Sequence, residues 1–442
     1  MPLPPVLLSR AIARRLSLPF NRLRKGGYGM KTLLGSPMAA ALVAAMFQPV
    51  IAHSEVPAAA AECSVKDIPG MSCVMRGLDN PRGLAFGMDG ALFVAEAGRG
   101  GAVNGPCTGV TGFNCYGQTG AVSRYRDGEQ DRVASGLPSL AFVAGASARG
   151  PHDITLRSPR HRRDSVLGEG GAIITVGLEK DPVVRDRPSR ADFAKLIRLP
   201  DSTLYADSAD LCAHACWEPV VDIGGWQPEG NPDPNRETDP YGLLGEKDGV
   251  VLVDASRNWL LRVEEDGTIS RLAEFPSRFE GRSTDAVPTT VVKGPDGAYY
   301  VGELVGIPFA PGPARPLSNI YRVDAAAPHE VSILATGFNA IIDIAFHGDD
   351  LYVLQHWTLD PTGADGRLLR AKCIGRPLAC GEPEVVMQGI DRATAFLIER
   401  GAMYMSIHGA NPAFVKGVYT PLGEVIRIEL ADDDDAGEDA GT

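Results

Sequence analysis

Six times the chain sets an arginine between apolar residues in a short strand-like run. These are Val122-Ser123-Arg124-Tyr125, Leu196-Ile197-Arg198-Leu199, Leu260-Leu261-Arg262-Val263, Ile320-Tyr321-Arg322-Val323, Leu368-Leu369-Arg370-Ala371 and Val425-Ile426-Arg427-Ile428. A second run also recurs six times, upstream of the first: Leu92-Phe93-Val94, Ile174-Thr175-Val176, Val251-Leu252-Val253, Tyr299-Tyr300-Val301, Leu351-Tyr352-Val353 and Met403-Tyr404-Met405. Tight turns precede most of these, as at Gly294-Pro295-Asp296-Gly297. There Pro presets φ and Gly accepts a positive φ, which joins two strands as a hairpin. A further apolar strand lies before each turn, such as Leu84-Ala85-Phe86 or Ile344-Ala345-Phe346. Repeats of roughly fifty residues made of short strands predict an all-β, six-bladed β-propeller with four-stranded blades around a channel. One blade cannot bury both faces of its sheet, so neighbours must stack on it. No fourth strand follows the last arginine run. Cys73-Val74-Met75, ahead of the first blade, is expected to supply it and close the ring, which removes the open edges.

This repeat region spans residues 63–430 of the 442. No acid occurs before Glu55, while seven basic residues do, so removing that leader makes a chain of net charge −12 more acidic still. Such a balance argues against nucleic acid or an anionic membrane as the main partner. Residues 30–52 read as a signal peptide: Lys31 precedes an apolar stretch, and Val50-Ile51-Ala52 suits cleavage. Residues 1–29 form a basic leader or lie upstream of the true start at Met30. Export to the periplasm or the extracellular space is therefore expected, with no stable membrane insertion after signal removal. Residues 431–442 read as an acidic, solvated tail. All eight cysteines follow the leader in close pairs, which in an exported chain reads as disulfides. The expected bridges are Cys63–Cys73, Cys107–Cys115, Cys212–Cys216 and Cys373–Cys380.

Loop lengths separate the two faces. Connections 98–120, 177–192, 200–239, 302–319, 355–366 and 406–423 are long, and in a propeller they emerge together. Binding residues concentrate on long loops held by a rigid scaffold, so that face is the expected functional one. Aligning the first strands of the blades brings Arg82, His152, Tyr241, Thr289, Ile342 and Thr394 to equivalent positions at the channel entrance. The next register holds Gly83, Asp153, Gly242, Thr290, Asp343 and Ala395. Just past the second strands come Glu96, Asp254, Glu303, His356 and His408. For Asp153, Asp254 and Asp343, a structural role accepting backbone N–H bonds from the next blade competes with a functional one. Calcium, which takes six to eight oxygens, is a possible cofactor, with Glu96, Asp153, Glu303 and Asp343 as its candidate ligands. His152 is the candidate for acid–base work. No GxSxG elbow, HExxH helix or P-loop occurs, which disfavours serine hydrolase, zincin and nucleotide-binding chemistry.

The phrases Leu78-Asp79-Asn80-Pro81-Arg82-Gly83-Leu84-Ala85-Phe86, Val94-Ala95-Glu96-Ala97-Gly98-Arg99-Gly100-Gly101 and Gly150-Pro151-His152-Asp153-Ile154 resemble the ScyD/ScyE family of exported β-propeller proteins. So do residues 287–309 and the stretch from Thr336-Gly337-Phe338 to Asp343. Two phrases depart from the family pattern, Asp239-Pro240-Tyr241-Gly242 and Asp254-Ala255-Ser256-Arg257-Asn258. The resemblance implies no defined reaction. More remotely the architecture is similar to gluconolactonase-like, NHL-type and soluble quinoprotein dehydrogenase propellers. The expected function is binding or scaffolding outside the cytoplasm, with a small molecule or an extracytoplasmic protein as partner. The alternative is a calcium-dependent hydrolase or lactonase, or a quinoprotein-type dehydrogenase, acting at the channel mouth.

Overall fold

The computed structural model describes residues 70–430, apart from 102–106, 108–112, 143–144, 159–163, 208–215, 231–233, 235, 280–282, 306–316, 357–365, 411–412, 416–417 and 421. The leader, the signal segment, Cys63, Cys212 and the acidic tail lie outside the described residues.

Six antiparallel sheets follow one another along the chain. The first blade pairs Pro81–Phe86, Leu92–Glu96, Phe113–Arg126 and Glu129–Phe142 in sequence order. The second uses Pro151–Leu156, Ala172–Val176, Leu196–Leu199 and Glu218–Val221, and the third Pro240–Glu246, Gly249–Asp254, Trp259–Glu264 and Ile269–Glu274. The fourth is Pro288–Lys293, Tyr299–Glu303, Ser318–Val323 and Val331–Phe338. In the fifth, Ile341–His347, Asp350–Gln355 and Gly366–Ile374 are followed by Glu384–Ile390. The sixth is composite: Ala395–Glu399, Ala402–Ile407 and Gly423–Glu429 take their fourth strand from Met71–Leu78. Met71 lies opposite Ile428 and Cys73 opposite Ile426. The fold is thus an all-β, six-bladed β-propeller closed by its own N-terminal strand.

Burial explains the repeat. The second strands, such as Leu92–Glu96 and Tyr299–Glu303, are buried at every position. They lie between neighbouring blades and read as continuous apolar runs. Outer strands such as Glu384–Ile390 are mostly exposed. The core is divided among the blade contacts. Phe93, Ile154 and Ile174 pack between blades one and two. Ile173, Leu252 and Trp259 join two and three, and Val251, Val291 and Tyr321 join three and four. Tyr300, Ile344 and Val353 fill the next contact, and Leu354, Phe396 and Ile426 the one after. Met75, Leu84, Val94 and Val425 complete the ring.

The repeated arginines brace the outside of the blades. Arg198, Arg262, Arg322, Arg370 and Arg427 pair with Glu218, Glu246, Asp296, Glu384 and Glu429. Half-exposed pairs of this kind contribute roughly 0–1 kcal/mol each. Arg124 differs: it is buried and donates to the carbonyls of Leu204 and Ala206 as well as to Asp131.

Disulfides join Cys107 to Cys115 and Cys373 to Cys380, with Cα separations of 5.9 and 4.0 Å. Cys73 and Cys216 are also disulfide-bonded; their expected partners are the undescribed Cys63 and Cys212. No helix among the described residues is long and apolar enough to cross a membrane.

Candidate functional site at the channel mouth

Five of the six inner strands begin irregularly. Their pairing with the second strands shifts between Pro81 and Leu84, Pro151 and Asp153, Pro240 and Leu243, Pro288 and Thr290, and Ile341 and Asp343. A bulge of this kind bends the strand and re-aims a side chain. Proline suits the first position, where no ladder donor is needed. The residues re-aimed are Arg82, His152, Tyr241, Thr289 and Ile342. In the sixth blade Thr394, just ahead of its strand, takes the equivalent place.

All six line one cavity of about 350 Å³. The loop residues Arg149, Glu179, Asp239 and Ser256 also line it, together with His356. A second cavity, of about 390 Å³, continues along the inner strands and is lined by Gly83, Asp153, Gly242, Thr290, Asp343 and Ala395. His152, Tyr241, Thr289, Ile342 and Thr394 border both, and so form a waist. At the second register the strands come closest. A Cβ on Gly83 would lie 2.8 Å from the Asp153 Cα, and one on Gly242 2.6 Å from the Thr289 carbonyl oxygen.

Hydrogen bonds sew the inner strands together. The Thr289 hydroxyl donates to the Ile341 carbonyl at 2.8 Å and that of Thr394 to the Pro81 carbonyl at 2.7 Å. Asp153 accepts from the backbone N–H groups of Ile154 at 2.8 Å and of Leu243, in the next blade, at 2.7 Å. Asp343 accepts from the Thr290 hydroxyl at 2.7 Å and from the N–H of Phe396, again in the next blade, at 2.9 Å. Both carboxylates therefore bridge blades while facing the inner cavity.

The acids past the second strands are placed differently. Glu96 is fully buried, bonded to Arg132, the Ser123 hydroxyl and the N–H of Asp79. Asp254, also fully buried, accepts from the Thr238 hydroxyl at 2.6 Å and the N–H of Asp239 at 2.8 Å, and lies 3.7 Å from Arg257. Glu303, equally buried, is held by Arg278, the Tyr321 hydroxyl and the N–H of Asn319. Gln355 makes the corresponding bond to the N–H of Asn339 at 2.6 Å. A side chain at this position clasps the chain entering the blade. Of the candidate calcium ligands, Asp153 and Asp343 share the inner cavity, whereas Glu96 and Glu303 do not join them. Glu96 spends its oxygens on Arg132 within blade one, and Glu303 on Arg278 from the connection that precedes blade four. Among the described residues no group of three or more His, Cys, Asp or Glu is placed to hold a metal ion.

Four groups facing the outer cavity matter most. Arg82 is 5 % exposed and donates to the carbonyls of Pro81, Ala148 and Gly409. His152 Nδ1 lies 3.3 Å from the Pro240 carbonyl and 3.7 Å from Asp239. Its ring stacks, tilted by 42°, on Tyr241 at 4.3 Å. Burial, reinforced by Arg82 and Arg149, holds His152 well below the usual imidazole range, so it is neutral. His356 donates from Nδ1 to the Ala393 carbonyl at 2.6 Å, and burial lowers it to about 4. Burial pushes Asp239 up to about 8, with Arg149 opposing. His408 sits apart, 3.1 Å from Asp391. Sequence reasoning missed Arg149 and Asp239. The signal for Asp239 was present in the departure Asp239-Pro240-Tyr241-Gly242.

These shifts give stability a definite pH dependence. Burial, with Asp343 adding, raises Asp153 to about 8, and burial raises Asp343 to about 6. Raised carboxyls keep protons in the folded state that the unfolded chain has released above about pH 4. Their contribution is lost as pH climbs through the folded values. The depressed His152 and His356 act oppositely, but only below about pH 6.5, where the unfolded chain takes up protons. From about pH 4.5 to 6 the two partly cancel. From about pH 6.5 to 8 Asp153 and Asp239 dominate, and stability should fall by roughly 1.5–2.5 kcal/mol per pH unit. Calorimetry should show the melting temperature dropping across that range; a flat or rising profile would refute the assignment.

No family model and no curated protein matches the chain. Solved structures similar to it include an oxidoreductase described as a glucose dehydrogenase from Thermus thermophilus, at 15 % identity and TM-score 0.46, covering 81 % of this chain and 99 % of that one. The PQQ-bound aldose sugar dehydrogenase from Streptomyces coelicolor is 13 % identical, with TM-score 0.43 and coverage of 81 % and 97 %. A virginiamycin B lyase from Staphylococcus aureus is 10 % identical, with TM-score 0.41 and coverage of 82 % and 98 %. At these values the likeness concerns the fold alone.

Proposed function

We propose that this propeller is an exported binding protein of the ScyD/ScyE type that takes a small molecule in the cavity at its channel mouth. One observation carries the reading. The bulged starts of five inner strands, with Thr394 ahead of the sixth, bring six equivalent positions, from six blades, to one cavity of about 350 Å³. Pockets of about 300–1,000 Å³ with apolar walls and a few convergent polar groups are the usual setting for a small ligand. Here Ile342 and Leu304 supply apolar wall, and Arg82, His152, Tyr241 and Thr394 the polar groups. Because these side chains sit on strands sewn to their neighbours, the site is preformed, which reduces the ordering cost of binding. Export is supported by the signal-like segment and by the disulfides at Cys107–Cys115 and Cys373–Cys380. The calcium-dependent and quinoprotein alternatives gain no specific support, since Glu96 and Glu303 are engaged by Arg132 and Arg278.

A fragment screen by ligand-observed NMR tests this. Fragments should bind the mature protein, and Leu304→Trp or Ser256→Trp, which place an indole in the cavity, should reduce that binding at least tenfold while the melting temperature stays within a few degrees. Equal binding to the filled variants would place recognition elsewhere.

A further inference from the structure

We propose that the ligand of the mouth cavity carries a carboxylate, received by the guanidinium of Arg82. The inference rests on the small-molecule reading of the cavity and names the ligand's charge. A guanidinium has five N–H donors. In Arg82 three of them meet carbonyl oxygens, two on Nη1 (Pro81 and Gly409) and one on Nη2 (Ala148). Nε is buried without a hydrogen-bond partner. Among the described residues Arg82 has no ion-pair partner either. A buried cation with only neutral acceptors is costly, because desolvation is not offset by an opposite charge.

Among the described residues none of the acids around the cavity makes a direct ion pair with Arg82. Glu179 is paired with Arg149, and Asp285 accepts from Asn258. Asp239 acts on Arg82 only through space, and burial pushes its carboxyl up to about 8, which weakens it as a counter-charge. The remaining donors of Arg82 sit on adjacent nitrogens, the spacing that suits the two oxygens of one carboxylate. The guanidinium is already fixed between the sixth blade, through Gly409, and the loop before the second, through Ala148. Little side-chain freedom remains to be lost on binding. Beside it, the rings of His152 and Tyr241, tilted by 42° to one another, with Ile342 and Leu304, offer a partly apolar and aromatic wall. An aromatic carboxylate matches both features.

Benzoate and its uncharged isostere benzamide separate charge from shape. Calorimetric titration of the mature protein at pH 7 should show benzoate binding at least tenfold more tightly than benzamide. In Arg82→Gln the preference should fall below twofold, and Arg82→Lys should recover part of it. Should Arg82→Gln fail to fold, the wild-type protein still decides the matter. With arginine Nε–H groups labelled and assigned by NMR, benzoate should shift the Arg82 Nε–H resonance and benzamide should not. Equal affinity for the two compounds, a preference that survives in Arg82→Gln, or an unmoved Nε–H resonance would overturn the carboxylate assignment. If other fragments still bind the cavity, the small-molecule reading stands without it. If no fragment binds there, that reading falls first.

Discussion

Deleting residues 70–78 should abolish the native fold. The segment Met71–Leu78 is the only strand of the sixth blade that comes from the other end of the chain, and it alone covers the edge of Gly423–Glu429. Met75 is 1 % exposed and Leu78 0 %, both packed with Leu84, Leu92, Val94 and Val425 between the last blade and the first. Burying side chains of this size stabilises by roughly 1.5–3 kcal/mol each. The deletion forfeits those two, the ladder, and part of the burial of their neighbours. Whole-domain stabilities are about 5–15 kcal/mol, so a loss of this order is decisive. It would also leave an unpaired strand edge, which templates association. Size-exclusion chromatography should show aggregate, and circular dichroism a lost cooperative transition. A monomeric deletion variant melting at the wild-type temperature would show that the ring is not closed by this strand.

The second large effect lies where the connection before the fourth blade meets that blade. Arg278→Ala should destabilise the protein by about 3–5 kcal/mol, because it strands a fully buried carboxylate. Glu303 is 0 % exposed, and Arg278 donates to both of its oxygens. Burial raises the Glu303 pKa, while Arg278 and the Tyr321 hydroxyl oppose the rise. Adding Glu303→Gln to Arg278→Ala removes the orphaned charge and should restore a good part of the loss. The exposed pair between Lys293 and Glu246 is the control; Lys293→Ala should cost no more than about 1 kcal/mol. Urea unfolding of the set measures all of this. If Arg278→Ala costs no more than Lys293→Ala, the clasp role of Glu303 is wrong.

The two predictions draw on parts of the molecule that were unequally legible in the sequence. Strand Cys73-Val74-Met75 was readable as the closing strand because the arginine run was written six times and the last copy lacked a neighbour. The outer ring, Arg82 to Thr394, was readable because blade repetition puts equivalent positions in a circle, and all six line the cavity. The clasps were not readable. Glu96 and Glu303 stand at strand ends that border the mouth, yet both turn away from it, and their partners Arg132 and Arg278 lie 36 and 25 residues away with no motif to mark them. The bulges were equally hidden, since the prolines that open four of the inner strands signal a strand start but not a register shift. Arg149 reaches the cavity from a loop, where no strand period constrains it.

The central claim is that the mouth cavity is where this propeller binds. Crystals of the mature protein soaked with the fragments that bind in solution test it most directly. The account predicts difference density bounded by Arg82, His152, Tyr241 and Thr394, with a carboxylate, when present, against Arg82. Density confined to the outer strands or to the face with short turns, with the mouth empty, would contradict it.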